Sequence, residues 1–156
     1  MENSNLENLY TKIAQKAIEM IPDEWTIVYL YGEIVEDVGK VYFYYYPINS
    51  DVPVYFYDIP EKFDINEEQF DLLWNELLDG LQNLWEEFNN FNQETWTNLT
   101  LVFDNKGDFK IHYDYEDLSD ADDNERSIIW EYKYLGIVPD DKEDRLFLDD
   151  FLKNNK

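Results

Sequence analysis

A long amphipathic stripe after residue 66 is the feature that most constrains what this chain can fold into. Asn66 is a natural N-cap and Gln69 stands at the third helical position, so a helix is expected to begin here. Apolar residues then recur at helical spacing for about five turns. They are Phe70, Leu73, Trp74, Leu77, Leu78, Leu81, Leu84, Trp85 and Phe88. The sequence therefore predicts a long central helix that packs on a core, with Gly80 allowing close approach to a sheet.

The chain before this helix has the pattern of a β-hairpin followed by an edge strand. Residues 25–36 and 41–46 are rich in β-branched and aromatic side chains, and the four residues between them are expected to form the turn. A third short strand is expected at residues 54–57. Because Pro53 and Pro60 lie on either side of it, this strand is expected at an edge of the sheet.

Three further helices are predicted from apolar spacing and end signals. The first begins at the capping box formed by Ser4 and Glu7 and is ended by Pro22. A short helix is expected at residues 125–135, where a glycine follows as the stop signal. A last amphipathic helix is expected at about residues 142–152.

A second hairpin completes the predicted fold. Residues 99–104 and 109–115 alternate between apolar and polar side chains around the turn Asn105-Lys106-Gly107. The order of elements predicts an α+β fold. We expect a mainly antiparallel five-stranded sheet, with the N-terminal helix, the long central helix and two C-terminal helices packed on it. No low-complexity stretch or repeat interrupts the chain, so residues 1–156 are expected to form a single domain.

The charge balance restricts the partners that such a domain can bind. With 12 Lys and Arg against 36 Asp and Glu, the formal net charge is −24. This field repels nucleic acid phosphates and anionic membrane surfaces, while it attracts cations and basic proteins. Because 18% of the residues are aromatic, the chain is nevertheless expected to bury a substantial core rather than to stay disordered. An acidic surface that serves only solubility is the alternative interpretation.

The compartment is inferred from what the sequence lacks. There are no cysteines, so neither a disulfide framework nor a thiol nucleophile is available. The first five residues show neither a basic region nor an apolar one, and the longest aromatic and aliphatic run, residues 41–46, is far too short to cross a membrane. A soluble cytoplasmic protein is the expected result.

The usual catalytic residues are mostly missing. A Ser–His–Asp triad would have to use His112, the one histidine, which is expected to point away from the core with Lys110 and Asp114. No phosphate-binding loop or metalloprotease motif is present. A carboxylate- or metal-dependent hydrolase stays possible in principle, because some of the 36 acids must lie close together. We expect no enzyme activity, no catalytic residue, no cofactor and no metal.

One segment concentrates the negative charge. Residues 114–125 hold seven acids and no base in twelve positions. The segment is either a solvated loop or a docking surface for basic residues. A calcium loop is disfavoured because the turn glycine of that motif is missing. Tyrosines at positions 42, 44, 46, 55 and 57 are too many for a small sheet to bury with every hydroxyl satisfied, so some are expected on the surface, where they would suit a protein interface.

Several motifs, in this order and spacing, resemble the YezG-like immunity proteins. The first is residues 21–25, Ile-Pro-Asp-Glu-Trp, and the second is residues 39–45, Gly-Lys-Val-Tyr-Phe-Tyr-Tyr. They continue with Phe-Asp-Leu-Leu-Trp at 70–74, the run Gly107 to Tyr115, and the run Trp130 to Pro139. The resemblance extends from about Leu6 to Leu152. The family includes the antitoxin of the staphylococcal nuclease toxin that is secreted by the type VII pathway. It implies a cytoplasmic antitoxin that protects the producing cell from DNA cleavage.

We therefore expect a protein that binds one cognate basic toxin, a nuclease domain, and inhibits it stoichiometrically. The alternatives are the hydrolase above and a DNA mimic that binds basic DNA-binding proteins in general. The oligomeric state is left open, because exposed aromatic strands can pair two copies. The expected toxin-binding residues are Tyr113, Asp114, Tyr115, Glu116, Asp117, Asp120, Asp122, Asp123, Glu125 and Trp130.

Overall fold

The computed structural model describes the backbone of residues 3–155 and the side chains of residues 5–155. The chain falls into two compact units, one ending at Glu116 and the other beginning at Asp117. The single domain expected from the sequence stays a prediction. No helix within residues 3–155 has both the length and the apolar character needed to cross a membrane.

The first unit contains the sheet and the three helices around it. Its elements are α1 (Asn3–Met20), β1 (Trp25–Val35), β2 (Val38–Pro47), β3 (Val54–Tyr55), a 3-10 turn (Phe56–Asp58), α2 (Ile59–Phe63), α3 (Glu67–Asn90), β4 (Asn98–Asp104) and β5 (Phe109–Asp114). The second unit contains α4 (Asp123–Leu135) and α5 (Lys142–Asn154).

The sheet is antiparallel throughout and has the order β3-β2-β1-β4-β5. Its central strand is β1, in which Leu30 lies opposite Phe43 of β2 and Leu101 of β4. All three side chains are fully buried. The predicted class is confirmed: an α+β fold with a five-stranded antiparallel sheet, an N-terminal helix, a long central helix and two C-terminal helices.

The central helix α3 begins where the sequence predicts. The side chain of Asn66 accepts a hydrogen bond from the backbone N–H of Gln69 at 3.1 Å, which satisfies a donor of the first turn. Leu77, Leu81 and Leu84 are fully buried on the stripe that faces the core. The predicted stripe therefore packs as expected.

Two glycines mark close approaches of α3. A Cβ at Gly32 of β1 would stand 2.8 Å from a methyl carbon of Leu81, so the helix packs on the sheet where that strand has no side chain. At Gly80 a Cβ would stand 3.2 Å from Ile13 of α1. The prediction that Gly80 allows close approach to the sheet is therefore wrong, because the position that a Cβ would take faces helix α1.

The third strand is shorter than predicted. Only Val54 and Tyr55 pair with β2, and the chain then turns at Phe56 into the 3-10 turn and α2. The ring of Phe56 is buried, with its centroid 5.4 Å from that of Phe43 and 5.7 Å from that of Trp74. Burial of this ring between β2 and α3 competes with continued pairing, and the turn that results leaves Tyr57 exposed.

One turn and one helix start differ from the sequence expectation. The β1–β2 connection is a two-residue turn, because Glu36 and Asp37 take φ values of 51° and 64° and Val35 pairs directly with Val38. Helix α1 begins at Asn3, so the predicted N-cap Ser4 lies inside the helix, and its side chain is outside the described side chains.

Truncating Leu81 tests the central contact. Leu81→Ala is expected to lower the free energy of unfolding by about 2–5 kcal/mol, because the change leaves a cavity between α3 and β1. Leu72→Ala is the matched control on the same helix, since that side chain is 63% exposed. The control is expected to change stability by less than about 0.5 kcal/mol in urea denaturation followed by circular dichroism. Equal losses in the two variants would contradict the packing described.

Candidate functional site

The acidic segment begins where β5 ends, within the first unit. A carboxylate oxygen of Asp114 accepts a hydrogen bond from the backbone N–H of Glu116 at 2.9 Å. The backbone N–H of Thr97 donates to the carbonyl of Asp114 at 2.9 Å, and its hydroxyl donates to the carbonyl of Glu116 at 2.7 Å. These bonds fix the course of the chain, so that Tyr115, 43% exposed, and Glu116 lie on the surface.

Tyr113 faces the interior of the same unit. Its ring centroid is 5.0 Å from that of Phe88 and 6.1 Å from that of Trp96. Its hydroxyl shares a hydrogen bond of 2.5 Å with the hydroxyl of Tyr10. Burial and this bond raise the pKa of Tyr113 well above its usual range, so the phenol stays neutral at physiological pH. Tyr113 therefore positions the strand, and its exposed neighbour Tyr115 is the ring available to a partner.

The rest of the acidic segment lies in the second unit, before and within the first turn of α4. Asp117 accepts a hydrogen bond from the backbone N–H of Ser119 at 3.0 Å, and bonding to Ser119 lowers the pKa of the Asp117 carboxyl. Asp122 is the N-cap of α4 and accepts from the backbone N–H of Glu125 at 3.0 Å. The side chains of Asp117, Asp120, Asp122 and Asp123 are all exposed, and Glu125 is half-buried.

Trp130 differs from these acids in its exposure. The side chain lies in α4, is 7% exposed, and has its ring centroid 5.3 Å from that of Tyr134. Such a ring supports the helix that carries the acids rather than presenting a large contact area. The acids of the segment thus fall into two groups, Asp114 and Glu116 in the first unit and the remaining five in the second.

The structure shows a second concentration of acids that sequence analysis missed. Helix α2 and the start of α3 bring four carboxylates around a surface recess of about 350 Å³ that Tyr57 and Phe70 also line. The four acids are Asp58, Glu61, Glu67 and Asp71. They lie within fourteen positions of the sequence, 58–71, and the short helix α2 and the start of α3 bring them around one recess. The signal in the sequence is Pro60 at the first turn of a helix, which was assigned to a strand boundary instead.

Within residues 3–155, no group of three or more His, Asp or Glu side chains is arranged to hold a metal ion. His112 is exposed on β5, as predicted. The acidic segment offers an exposed tyrosine and an exposed carboxylate, Tyr115 and Glu116, in the first unit, and a set of exposed carboxylates in the second unit. Each of these suits attraction and docking of a cationic protein surface.

Comparison with known proteins gives one consistent result. The family model described as "Immunity protein YezG-like" matches residues 6–149. Immunity protein YezG of Bacillus spizizenii is 42% identical over 158 residues, which cover 100% of this chain and 98% of the relative. Immunity protein YezG of Bacillus subtilis is 38% identical over 149 residues, with 94% and 99% of the two chains covered. Type VII secretion system protein EsaG of Staphylococcus aureus is 32% identical over 137 residues, with 86% and 84% covered. The chain therefore belongs to the YezG-like immunity protein family.

Proposed function

We propose that this protein binds a cognate secreted toxin with nuclease activity and neutralises it by stoichiometric inhibition, without catalysing a reaction itself. The observation that carries the proposal is the family match over residues 6–149. The name of the staphylococcal relative refers to type VII secretion, which supports a toxin exported by that route. The resemblance to the YezG-like immunity proteins implies that neutralisation takes place in the cytoplasm of the producing cell.

The charge supports a basic partner. A nuclease must attract DNA phosphates, so the face with which it binds DNA is expected to be basic. A protein of net charge −24 attracts such a face over distances set by the ionic strength, which accelerates the encounter of the two proteins. Contacts made after the encounter then set the rate of dissociation.

The contact surface proposed for the toxin is the exposed part of the acidic segment. In the first unit Asp114, Tyr115 and Glu116 supply two carboxylates and one ring that is 43% exposed. In the second unit the carboxylates are Asp117, Asp120, Asp122, Asp123 and Glu125. Tyr113 and Trp130 support this surface from within their own units, because both rings are largely covered.

Titration into a DNA-cleavage assay tests the proposal. The purified protein is added to the nuclease domain of the toxin encoded beside it, and an unrelated nuclease serves as the control. Cleavage by the cognate enzyme is expected to stop near equimolar ratio while the control enzyme stays active. Inhibition of both enzymes, only in large excess and at low salt, would identify a nonspecific polyanion and contradict the proposal.

Neutralising the exposed acids tests where the toxin binds. The triple change Asp117→Asn, Asp120→Asn and Asp123→Asn removes three charges, while the amide oxygen at position 117 can still accept from Ser119. We expect the association rate constant with the toxin to fall about tenfold at low salt and the difference to shrink as salt rises. Stopped-flow measurement at several ionic strengths gives both quantities.

A matched triple removes the same charge elsewhere. Glu61→Gln, Glu67→Gln and Asp71→Asn neutralise three acids of the recess beside α2. This control is expected to leave the association rate nearly unchanged. Equal effects of the two triples would mean that net charge alone steers the toxin, and a larger effect of the control would move the contact surface to the recess.

Variants of Tyr115 and Tyr113 distinguish a residue that contacts the toxin from one that stabilises the fold. Tyr115→Ala is expected to speed dissociation of the toxin at least tenfold without lowering stability, because its ring is exposed. Tyr113→Phe is expected to lower the free energy of unfolding by about 1 kcal/mol, because it removes the bond to Tyr10. It should leave the dissociation rate unchanged. Surface plasmon resonance and urea denaturation measure the two effects, and the reverse pattern would exclude the assigned roles.

A further inference from the structure

The strand β5 forms an open edge of the sheet. It pairs with β4 on one side and is the last strand in the sheet order. The opposite edge consists of β3, which pairs over two residues and follows Pro53, and of the rest of β2, where the indole N–H of Trp74 donates to the carbonyl of Val41 at 3.3 Å. Because an edge strand presents unpaired backbone groups, the edge that no side chain caps is the one available to another strand. In this protein that edge is β5.

The pairing pattern shows which backbone groups of β5 point outward. The N–H of Asp104 donates to the carbonyl of Asp108 at 3.0 Å, so this is a hydrogen-bonded pair of the β4–β5 ladder. Hydrogen-bonded pairs alternate along an antiparallel ladder, so Lys110 and His112 bond to β4. The N–H and C=O groups of Phe109, Ile111 and Tyr113 are therefore directed to the open side.

We propose that a second copy of this chain pairs with β5 in antiparallel orientation, about a two-fold axis that passes at His112. In this register the outward groups of Ile111 face those of Tyr113 of the partner subunit, and the ladder continues across the interface. On one face of the strand, Lys110 lies directly opposite Asp114 of the partner subunit. The symmetry repeats this pair of opposite charges on the other side of the axis.

Charge disfavours the register whose two-fold axis lies at Ile111. A two-fold axis at Ile111 would place Lys110 opposite His112 of the partner subunit and Asp114 opposite Asp108 of the partner subunit, a pair of like charges. Opposite charges directly across a pair of strands stabilise it, whereas unmatched ones do not. An axis at Tyr113 would also oppose unlike charges, with Lys110 across from Glu116 of the partner subunit, but it would not place Phe109 opposite Tyr115 of the partner subunit. The axis at His112 is the one that matches both the charges and the exposed rings.

The same register covers two exposed aromatic rings. Phe109, at the start of β5, is 46% exposed, and Tyr115, directly after its end, is 43% exposed. Pairing about His112 places Phe109 opposite Tyr115 of the partner subunit, and again on the other side of the axis. Phe109 also lines an apolar groove of about 230 Å³ between α1 and the β4–β5 hairpin, together with Ala14 and Ile18. The partner's ring would cover one end of that groove.

Self-complementarity favours a second copy over an extended segment of the toxin. An interface around a two-fold axis must match its own surface, and β5 does so in charge and in aromatic residues at the same time. A basic segment of a toxin would instead meet Lys110 on this edge. The net charge of −24 opposes self-association, but at physiological salt it is screened beyond about 8 Å, so the close pairs across the strand prevail.

Charge reversal across the interface tests the proposal. Sedimentation equilibrium at physiological salt is expected to show a concentration-dependent dimer for the unmodified protein. Lys110→Glu and Asp114→Lys each break both symmetry-related pairs, so each is expected to weaken dimerisation about tenfold. An equimolar mixture of the two variants restores opposite charges at both pairs, and it is expected to dimerise as strongly as the unmodified protein. Lys106→Glu, the same charge change in the exposed turn of the hairpin, is the matched control and should dimerise normally.

The mixture also shows that both variants are folded, since only folded chains can regain the interface. A monomer at concentrations up to roughly 1 mM would overturn the proposal. A dimer that both single variants leave unchanged, or that the mixture fails to restore, would place the interface elsewhere and would equally overturn it. A monomer whose toxin binding is lost in Lys110→Glu would assign the edge to the toxin instead of a second copy.

Discussion

Helix α3 can lie close on the central strand only because residue 32 has no side chain. A Cβ there would stand 2.8 Å from Leu81, so a larger residue would force the helix or its leucine to move. The contact contributes apolar burial, which a chain of net charge −24 needs in order to offset the repulsion between its own charges. Fully buried rings such as Phe43, Tyr45 and Trp96 supply much of the remaining apolar surface. The same central strand, β1, carries this contact and pairs with both β2 and β4.

The acids of the proposed contact surface act on the fold and on the partner through different atoms. Asp114, Asp117 and Asp122 each accept a backbone N–H, which orders the chain between β5 and α4 within the respective unit. Their charge acts at longer range, through the field that attracts a basic protein. An amide in place of a carboxylate keeps the acceptor and removes the charge. The two contributions are therefore separable by experiment, which a change to alanine would not allow, because alanine would remove both.

Local signals predicted the long elements, and tertiary packing decided the rest. The N-cap at Asn66 and the alternation of the second hairpin are properties of short segments, and both are confirmed. The end of β3 was missed because burial of Phe56 against Phe43 and Trp74 depends on elements distant in sequence. The recess beside α2 was missed because residues 54–57 were expected to form a strand that ends at Pro60, so the short helix that gathers its acids was not predicted. The alternation also placed Tyr113 on the inner face of β5, but its bond to Tyr10 joins residues 103 positions apart and has no sequence signal.

Two residues belong to both proposed surfaces, and this links the two proposals. Asp114 and Tyr115 are part of the proposed toxin contact, and in the proposed dimer they lie opposite Lys110 and Phe109 of the second copy. A toxin seated on Asp114 and Tyr115 would cover the groups that the second copy needs, so the two partners compete for one end of the strand. Competition of this kind makes the apparent affinity for toxin depend on the concentration of the antitoxin itself. Lys110→Glu separates the two, because it weakens pairing of two copies without touching a residue assigned to the toxin surface. Toxin affinity that becomes independent of protein concentration in this variant would connect the open edge to the inhibitory function.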